Sequence, residues 1–316
     1  MKDNFGREID YMRISLTQDC NLHCAYCRPV QEKNSGRFLD AGDVEKISRA
    51  AVTLGITRFR ITGGEPLLHP ECGKILKGLK ALPQTEYVGI TTNGILLKQR
   101  LGEICEAGTD SVNISLDTMN REKYQRITRR DCLDTVISGI DKAYHAGLQV
   151  KVNCVPGSDF TMEDLSGFLE LIREHKMAVR FIEYMPMAGQ DYRGLPISEI
   201  KQMLEKRKIS LQKTEEQMGS GPAVYYKAAG YRGRIGFIEP LHGKFCRYCN
   251  RIRVTGDAGL QTCLFYGEQI DLKAALNQEK WEEALRQTLE EAVWNKQAEH
   301  HFEKEAGCCE MNRIGG

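Results

Sequence analysis

Cys20-Asn21-Leu22-His23-Cys24-Ala25-Tyr26-Cys27 places three thiols at C-x3-C-x2-C spacing in a loop straight after a short strand-like stretch. A tetrahedral zinc site normally takes four protein ligands, so three cysteines this close do not complete one, whereas on a cubane iron-sulfur cluster they leave one position open. An open iron takes an exogenous ligand. A zinc site that borrows His23 or a distant fourth ligand, and a disulfide framework, are the competing readings of the same residues.

Around this loop the chain reads as alternating strands and helices. Met12 to Thr17 alternates apolar and polar residues, with Arg13, Ser15 and Thr17 on one face. Asp43 to Leu54 then sets Val44, Ile47, Ala51 and Leu54 on one helical stripe, ended by Gly55. Strand Arg58 to Thr62 leads to a helix that turns Cys72, Ile75, Leu76, Leu79 and Leu82 inward and stops at Pro83. Strand Tyr87 to Thr92 precedes a helix carrying Leu97, Leu101, Ile104 and Cys105, and strand Ser111 to Leu116 one carrying Val136, Ile137, Ile140 and Tyr144. Strand Gln149 to Val155 is followed by a helix opened by Thr161 and Asp164 as a variant capping box, and Ala178 to Glu183 is the sixth strand. Six such units with right-handed crossovers predict an α/β fold, a parallel sheet curling into an incomplete (β/α)6 barrel with helices outside.

A parallel strand buried on both faces is apolar almost throughout. Here polar residues recur at alternate positions: Arg13 and Ser15; Arg58, Arg60 and Thr62; Asn113, Ser115 and Asp117; Lys151 and Asn153. With helices outside, this face lines the interior, save where an edge position such as Arg58 meets solvent. A wet, basic interior suits a polyanionic substrate, because arginine forks pair phosphate oxygens and a lysine adds a point charge.

Thr62-Gly63-Gly64-Glu65-Pro66 follows the second strand, at the end where such sheets bind ligands. Its glycines let a ligand approach the backbone and its glutamate offers a carboxylate, although the same residues also make a tight strand-to-helix turn. Thr91-Thr92-Asn93-Gly94 and Ser115-Leu116-Asp117 occupy the equivalent places on strands three and four. After strand six the pattern breaks into a linker, Gly189 to Pro196, a short helix, Ile197 to Lys206, and hairpin strands within Tyr225 to Ile238. Residues 1–188 therefore read as the partial barrel and 189–316 as a C-terminal extension of hairpin strands and helices. That extension holds a second cysteine group, Phe245-Cys246-Arg247-Tyr248-Cys249-Asn250-Arg251-Ile252-Arg253 with Cys263 beyond it. A zinc ribbon there would need a fourth ligand, for which His242 is the nearest candidate.

The 316 residues carry 44 Lys and Arg against 43 Asp and Glu, a net charge of +1 that argues for neither a nucleic-acid nor a membrane partner. No stretch approaches a membrane span and Met1-Lys2-Asp3-Asn4-Phe5 lacks a signal-peptide core, so a cytoplasmic location is expected. Twelve cysteines in that setting point to reduced thiols serving metal or redox chemistry. Cys72, Cys105, Cys132 and Cys154 are expected to pack as small apolar residues; Cys308 and Cys309 receive no role.

The first cysteine loop, with Tyr26 before its last cysteine, together with the G-G-E-P stretch resembles the radical S-adenosylmethionine family. Further stretches narrow the likeness: Arg60 to Pro66, Thr91-Thr92-Asn93-Gly94, Arg180-Phe181-Ile182-Glu183-Tyr184-Met185, Gly221-Pro222-Ala223, Ile235-Gly236-Phe237-Ile238, the second cysteine group and Ile314-Gly315-Gly316. In that order, over residues 12 to 316, they resemble the GTP 3′,8-cyclase family of molybdenum-cofactor biosynthesis.

The resemblance implies two [4Fe-4S] clusters. One, on Cys20, Cys24 and Cys27, would bind the amino and carboxylate groups of S-adenosylmethionine at its open iron; the other, on Cys246, Cys249 and Cys263, would bind the guanine ring of GTP. Tyr26, Gly64, Glu65, Ser115 and Met185 would form the S-adenosylmethionine site, and Arg13, Arg60, Thr91, Lys151, Arg251, Ile252 and Arg253 the substrate site. Arg180 would act near the reaction centre, and the tail ending in Gly315 and Gly316 would thread into it. The implied reaction converts GTP to (8S)-3′,8-cyclo-7,8-dihydroguanosine 5′-triphosphate: a 5′-deoxyadenosyl radical removes H3′ and C3′ attacks C8. Implied partners are an electron donor such as flavodoxin or ferredoxin, the next pathway enzyme, cyclic pyranopterin monophosphate synthase, and a second copy in a homodimer. Arg28 stands where the family usually has methionine, Val30 to Arg37 is unlike the usual loop, and Asp257-Ala258-Gly259-Leu260 replaces D-G-x-L. The alternatives are a paralogue acting on another purine nucleotide and a non-enzymatic iron-sulfur or zinc protein.

Overall fold

In the computed structural model, which describes residues 1–27, 38–187, 192–216 and 218–302, each alternating stretch becomes a strand of one sheet. These are β1 (Tyr11–Ser15), β2 (Arg58–Thr62), β3 (Tyr87–Thr92), β4 (Ser111–Ser115), β5 (Gln149–Cys154) and β6 (Ala178–Ile182), each parallel to the next. Between them run α1 (Ala41–Thr53), α2 (Cys72–Ala81), α3 (Leu97–Glu106), α4 (Arg121–Thr128), α5 (Leu133–His145) and α6 (Met162–Glu174). Asp40 caps α1 by accepting from the Asp43 N–H, and Thr161 and Asp164 form the reciprocal box that opens α6. Helix α4 escaped the periodicity because it buries only Tyr124 and Thr128.

The remaining elements are α7 (Ile197–Lys206), β7 (Leu211–Thr214), β8 (Val224–Ala228), β9 (Arg234–Ile238), β10 (Arg251–Val254), β11 (Gly259–Gln261), β12 (Ile270–Asp271), α8 (Lys273–Leu276) and α9 (Trp281–Trp294). The sheet has twelve strands in the order β12-β11-β10-β1-β2-β3-β4-β5-β6-β9-β8-β7. Strand β10 lies parallel to β1 and β9 parallel to β6, so the parallel run is eight strands long and the C-terminal residues supply both of its edges. The incomplete barrel is as expected; its two edge strands were not.

One face of each parallel strand enters the apolar core. Met12 and Ile14, Phe59 and Ile61, Val88 and Ile90, Val112 and Ile114, and Val150 and Val152 pack there with the apolar stripes of the helices. The sequence reading is corrected at α3, where Cys105 is exposed because the helix buries only Leu97 and Ile104; Leu82, the C-cap residue of α2, packs half-buried against the core as expected. Cys132 is half-buried, whereas Cys72 and Cys154 are buried as expected. No helix among the described residues is long and apolar enough to cross a membrane.

Candidate active site

The opposite strand faces enclose a cavity of about 300 Å³. Arg253, Arg13 and Arg60 are cross-strand neighbours on β10, β1 and β2, as are Ser115, Asn153 and Arg180 on β4, β5 and β6. Like charges side by side on a sheet repel, so partners must hold them. Arg60 donates to the Tyr11 and Tyr87 hydroxyls, both at 2.7 Å, to the Ile90 carbonyl at 3.1 Å and to Ser111 Oγ at 3.3 Å. Gly89 makes room for it: a Cβ there would stand 2.7 Å from Arg60 Nη2. Arg180 Nε donates to Asn153 Oδ1 at 2.7 Å. Arg13 Nε and Asn113 Oδ1 are buried with no hydrogen-bond partner among the described residues, and both residues line the cavity. Buried polar atoms are rarely left so without a ligand to meet them.

The first cysteine loop is fixed from two sides. The Gly64 N–H donates to the Thr17 carbonyl at 2.6 Å and the Glu65 N–H to the Asp19 carbonyl at 2.7 Å. A Cβ on Gly64 would stand 2.6 Å from the Gln18 carbonyl oxygen, so what this glycine admits is the backbone leading into the cysteine loop. Glu65 accepts from the Leu67 N–H, Thr92 Oγ1 and the Asn93 N–H. Burial raises its pKa to about 7 against the pull of those bonds. Asn93 Nδ2 then reaches Asn21 Oδ1 at 2.7 Å and Cys20 Sγ at 3.7 Å. On the other side the Tyr26 hydroxyl donates to Asp117 Oδ2 at 2.6 Å, and its ring stands 5.2 Å from that of Tyr192. Burial first, then the negative neighbours Cys27, Asp117 and Cys20, push the Cys24 thiol well above its ordinary range.

The second triad stands in the opposite field. Burial alone would raise the Cys249 thiol, but the charges of Arg251 and Lys296 bring it down to about 6. Lys296 donates to the Thr262 carbonyl, beside Cys263. Arg7, paired with Asp3 at 2.5 Å, donates to the carbonyls of Cys246 at 3.1 Å, Ala298 at 2.7 Å and Gln297 at 2.7 Å.

All six cysteines of the two triads line the cavity, with Tyr26, Gly64, Ser115, Met185, Arg13, Arg60, Thr91, Arg180, Arg251 and Arg253. Three expected residues do not. Glu65 turns to the turn after β3, as described. Lys151 is fully buried and donates to Gln149 Oε1 at 2.5 Å; burial and the charges of Arg60 and Arg180 lower its pKa to about 6. Ile252 alternates with Arg251 and Arg253 on β10, so its side chain enters the apolar core. Gly315, Gly316 and Arg28 lie outside the described residues. His23 is exposed and His242 pairs with Glu183, and neither lines the cavity, which removes the proposed fourth zinc ligands. The sequence does not announce Arg7, Lys296 and Tyr192, which belong to no motif, nor that Asn93 of the T-T-N-G stretch reaches Asn21 and Cys20.

Among the described residues no three His, Cys, Asp or Glu side chains gather closely enough to hold a single metal ion. Three soft thiols facing a cavity, with no fourth protein ligand among the described residues, fit an iron-sulfur cluster with an open iron, at each triad.

Comparison with known proteins accords with this geometry. The family model for the radical SAM superfamily matches residues 14–172 and that for Molybdenum Cofactor Synthesis C residues 177–302. A protein of Clostridium perfringens (strain 13 / Type A) named GTP 3′,8-cyclase is 36% identical over 323 residues, covering 100% of both chains. One of the same name from Clostridium acetobutylicum is 40% identical over 316 residues, 96% of each. Molybdenum cofactor biosynthesis protein 1 of Drosophila melanogaster is 38% identical over 311 residues, 95% of this chain and 54% of that one. The crystal structure of Streptococcus suis SuiB bound to S-adenosylmethionine superposes with a TM-score of 0.63 at 15% identity, over 88% of this chain and 68% of that one, a likeness of fold.

Proposed function

The chain belongs to the GTP 3′,8-cyclase family of radical S-adenosylmethionine enzymes, and from that premise we propose that it converts GTP to (8S)-3′,8-cyclo-7,8-dihydroguanosine 5′-triphosphate, the first step of molybdopterin biosynthesis. The observation that carries the reading is one cavity with a cysteine triad from each part of the chain and arginines from β1, β2, β6 and β10. Cys20, Cys24 and Cys27 would hold one [4Fe-4S] cluster and Cys246, Cys249 and Cys263 the other. The first cluster with S-adenosylmethionine supplies the radical chemistry that removes H3′.

The chain's own residues bind and orient. Tyr26, Gly64, Ser115 and Met185 would bound the S-adenosylmethionine site. Arg13, Arg251 and Arg253 would take the triphosphate, with Arg60 and Arg180 fixed by their hydrogen bonds as further positive charge. Thr91 would add a hydroxyl contact. A guanine held at the second triad brings C8 to C3′, a positioning effect. Residues 1–188 would form the radical-generating partial barrel, whose Arg13, Arg60, Thr91 and Arg180 also face the substrate, and 189–316 would add the second triad with Arg251 and Arg253. The reductant is a flavodoxin or ferredoxin, the product passes to cyclic pyranopterin monophosphate synthase, and the setting is cytoplasmic.

The test is anaerobic: reconstitute the clusters, reduce with dithionite, add S-adenosylmethionine and GTP, and follow products by mass spectrometry. Deoxyadenosine with a cyclised isomer of GTP is expected. Deoxyadenosine without it redirects the search to another purine nucleotide, and no cleavage by a fully loaded chain sinks the enzymatic reading. Deleting Gly315 and Gly316 is expected to abolish turnover while both clusters stay bound.

A further inference from the structure

Lys296 is only 2% exposed and is absent from the cavity wall, so unlike Arg251 it does not reach a substrate. Its Nζ donates to the carbonyl of Thr262, the residue before Cys263. Its leading electrostatic neighbours among the described residues are the Cys249 and Cys263 thiols, Arg7 and Arg251, with no carboxylate in the set. An ammonium taken out of water without an anion is strongly unfavourable, and Arg251 adds a further positive charge, while Arg7 is already paired with Asp3. Loose packing does not explain its position. Arg7 donates to the carbonyls of Lys296, Gln297, Ala298 and Cys246, which fixes this segment against the second cysteine loop. Among the described residues, the negative charge that would balance this ammonium is that of the triad itself.

Three thiolates around a [4Fe-4S] core form a net negative group, more negative by one after an external donor supplies an electron. We propose that Lys296 is the built-in counter-charge of the second cluster, a positioning residue braced by Arg7 that favours the reduced over the oxidised cluster and slows its loss. The proposal rests on the reading of the second triad as a cluster site.

The test uses the full chain, reconstituted anaerobically, with each cluster read alone in Cys24→Ala and Cys249→Ala backgrounds. Midpoint potentials are followed by electron paramagnetic resonance during dithionite titration, and iron loss to a chelator is timed. Lys296→Met is expected to shift the second cluster to a more negative potential and speed its loss while leaving the first unmoved, and Lys296→Arg to restore both readings. An unchanged second cluster in Lys296→Met overturns the proposal. So does an equal shift of both clusters, or a Lys296→Arg chain that melts like the parent yet behaves like Lys296→Met. A parent chain that loads only the first cluster overturns the cluster reading of the second triad itself.

Discussion

The two cysteine triads present the same number of thiols to the same cavity from opposite electrostatic surroundings. Beside the first stand Asp117 and the hydroxyl of Tyr26, and the Cys24 thiol is pushed upward by burial and by negative neighbours. Beside the second stand Arg251 and Lys296, and the Cys249 thiol is drawn down to about 6 despite its burial. Counting cysteines does not tell the sites apart; their charge does. S-adenosylmethionine carries a sulfonium and suits the acidic end, whereas a nucleoside triphosphate suits the end where the arginines of β1 and β10 meet.

The strongest way to break this comparison is to remove one triad at a time. Cys24→Ala is expected to abolish deoxyadenosine formation altogether. Cys249→Ala is expected to keep deoxyadenosine formation while the cyclised nucleotide disappears, each variant losing about half of the iron. Equal effects on both products would erase the distinction. Next come charge substitutions. Arg13→Ala is expected to weaken GTP binding by roughly tenfold or more, the worth of a charged hydrogen bond, with S-adenosylmethionine binding unmoved; Asp117→Asn is expected to do the reverse, severalfold. Equilibrium binding of each ligand measures both.

Proton linkage gives a smaller and sharper effect. Lys151 titrates near 6 in the folded chain against 10.5 ordinarily, so between those values the unfolded chain holds more protons and stability rises with pH. Lys151→Met should flatten that rise in denaturant titrations. Polyanion binding at a pH inside the window should return a proton to Lys151, seen as buffer-dependent heat in calorimetry and lost in Lys151→Met. Smallest is Gly89→Ala, whose new methyl group meets the Arg60 guanidinium. A fall of a few degrees in Tm is expected, since overpacking costs about 1–3 kcal/mol.

Much of this was legible in the residues. Alternation along Arg58 to Thr62 fixed which side chains face inward, since a strand's period leaves no other choice, and Arg60 and Thr62 are on the cavity wall. The capping box at Thr161 was readable because its two bonds are local. What escaped was long-range. Glu65 lies next to two glycines that suggested a ligand, yet its carboxylate is spent on Thr92 and Asn93. Arg7 meets Cys246 across 239 residues, and nothing near Arg7 in sequence announces it. Nor could periodicity show that β9 and β10 join the parallel run, because edge pairing depends on which strands the intervening chain leaves open.

That last feature bears on how the molecule is made. Emerging from the ribosome, β1 finds β2 early, but its other edge has no neighbour until Arg251–Val254 has been synthesised. A pairing that spans most of the chain is slow to form and is delayed by translation itself. Arg253 therefore joins Arg13 and Arg60 only near the end of synthesis, and the second triad reaches the cavity in the same event. The three mutually repelling arginines come together late, onto a sheet whose Arg60 anchors, Tyr11, Tyr87 and Ser111, have long been translated. Early release of the nascent chain leaves β1 with a bare edge, the kind of surface on which unfinished chains stick to one another.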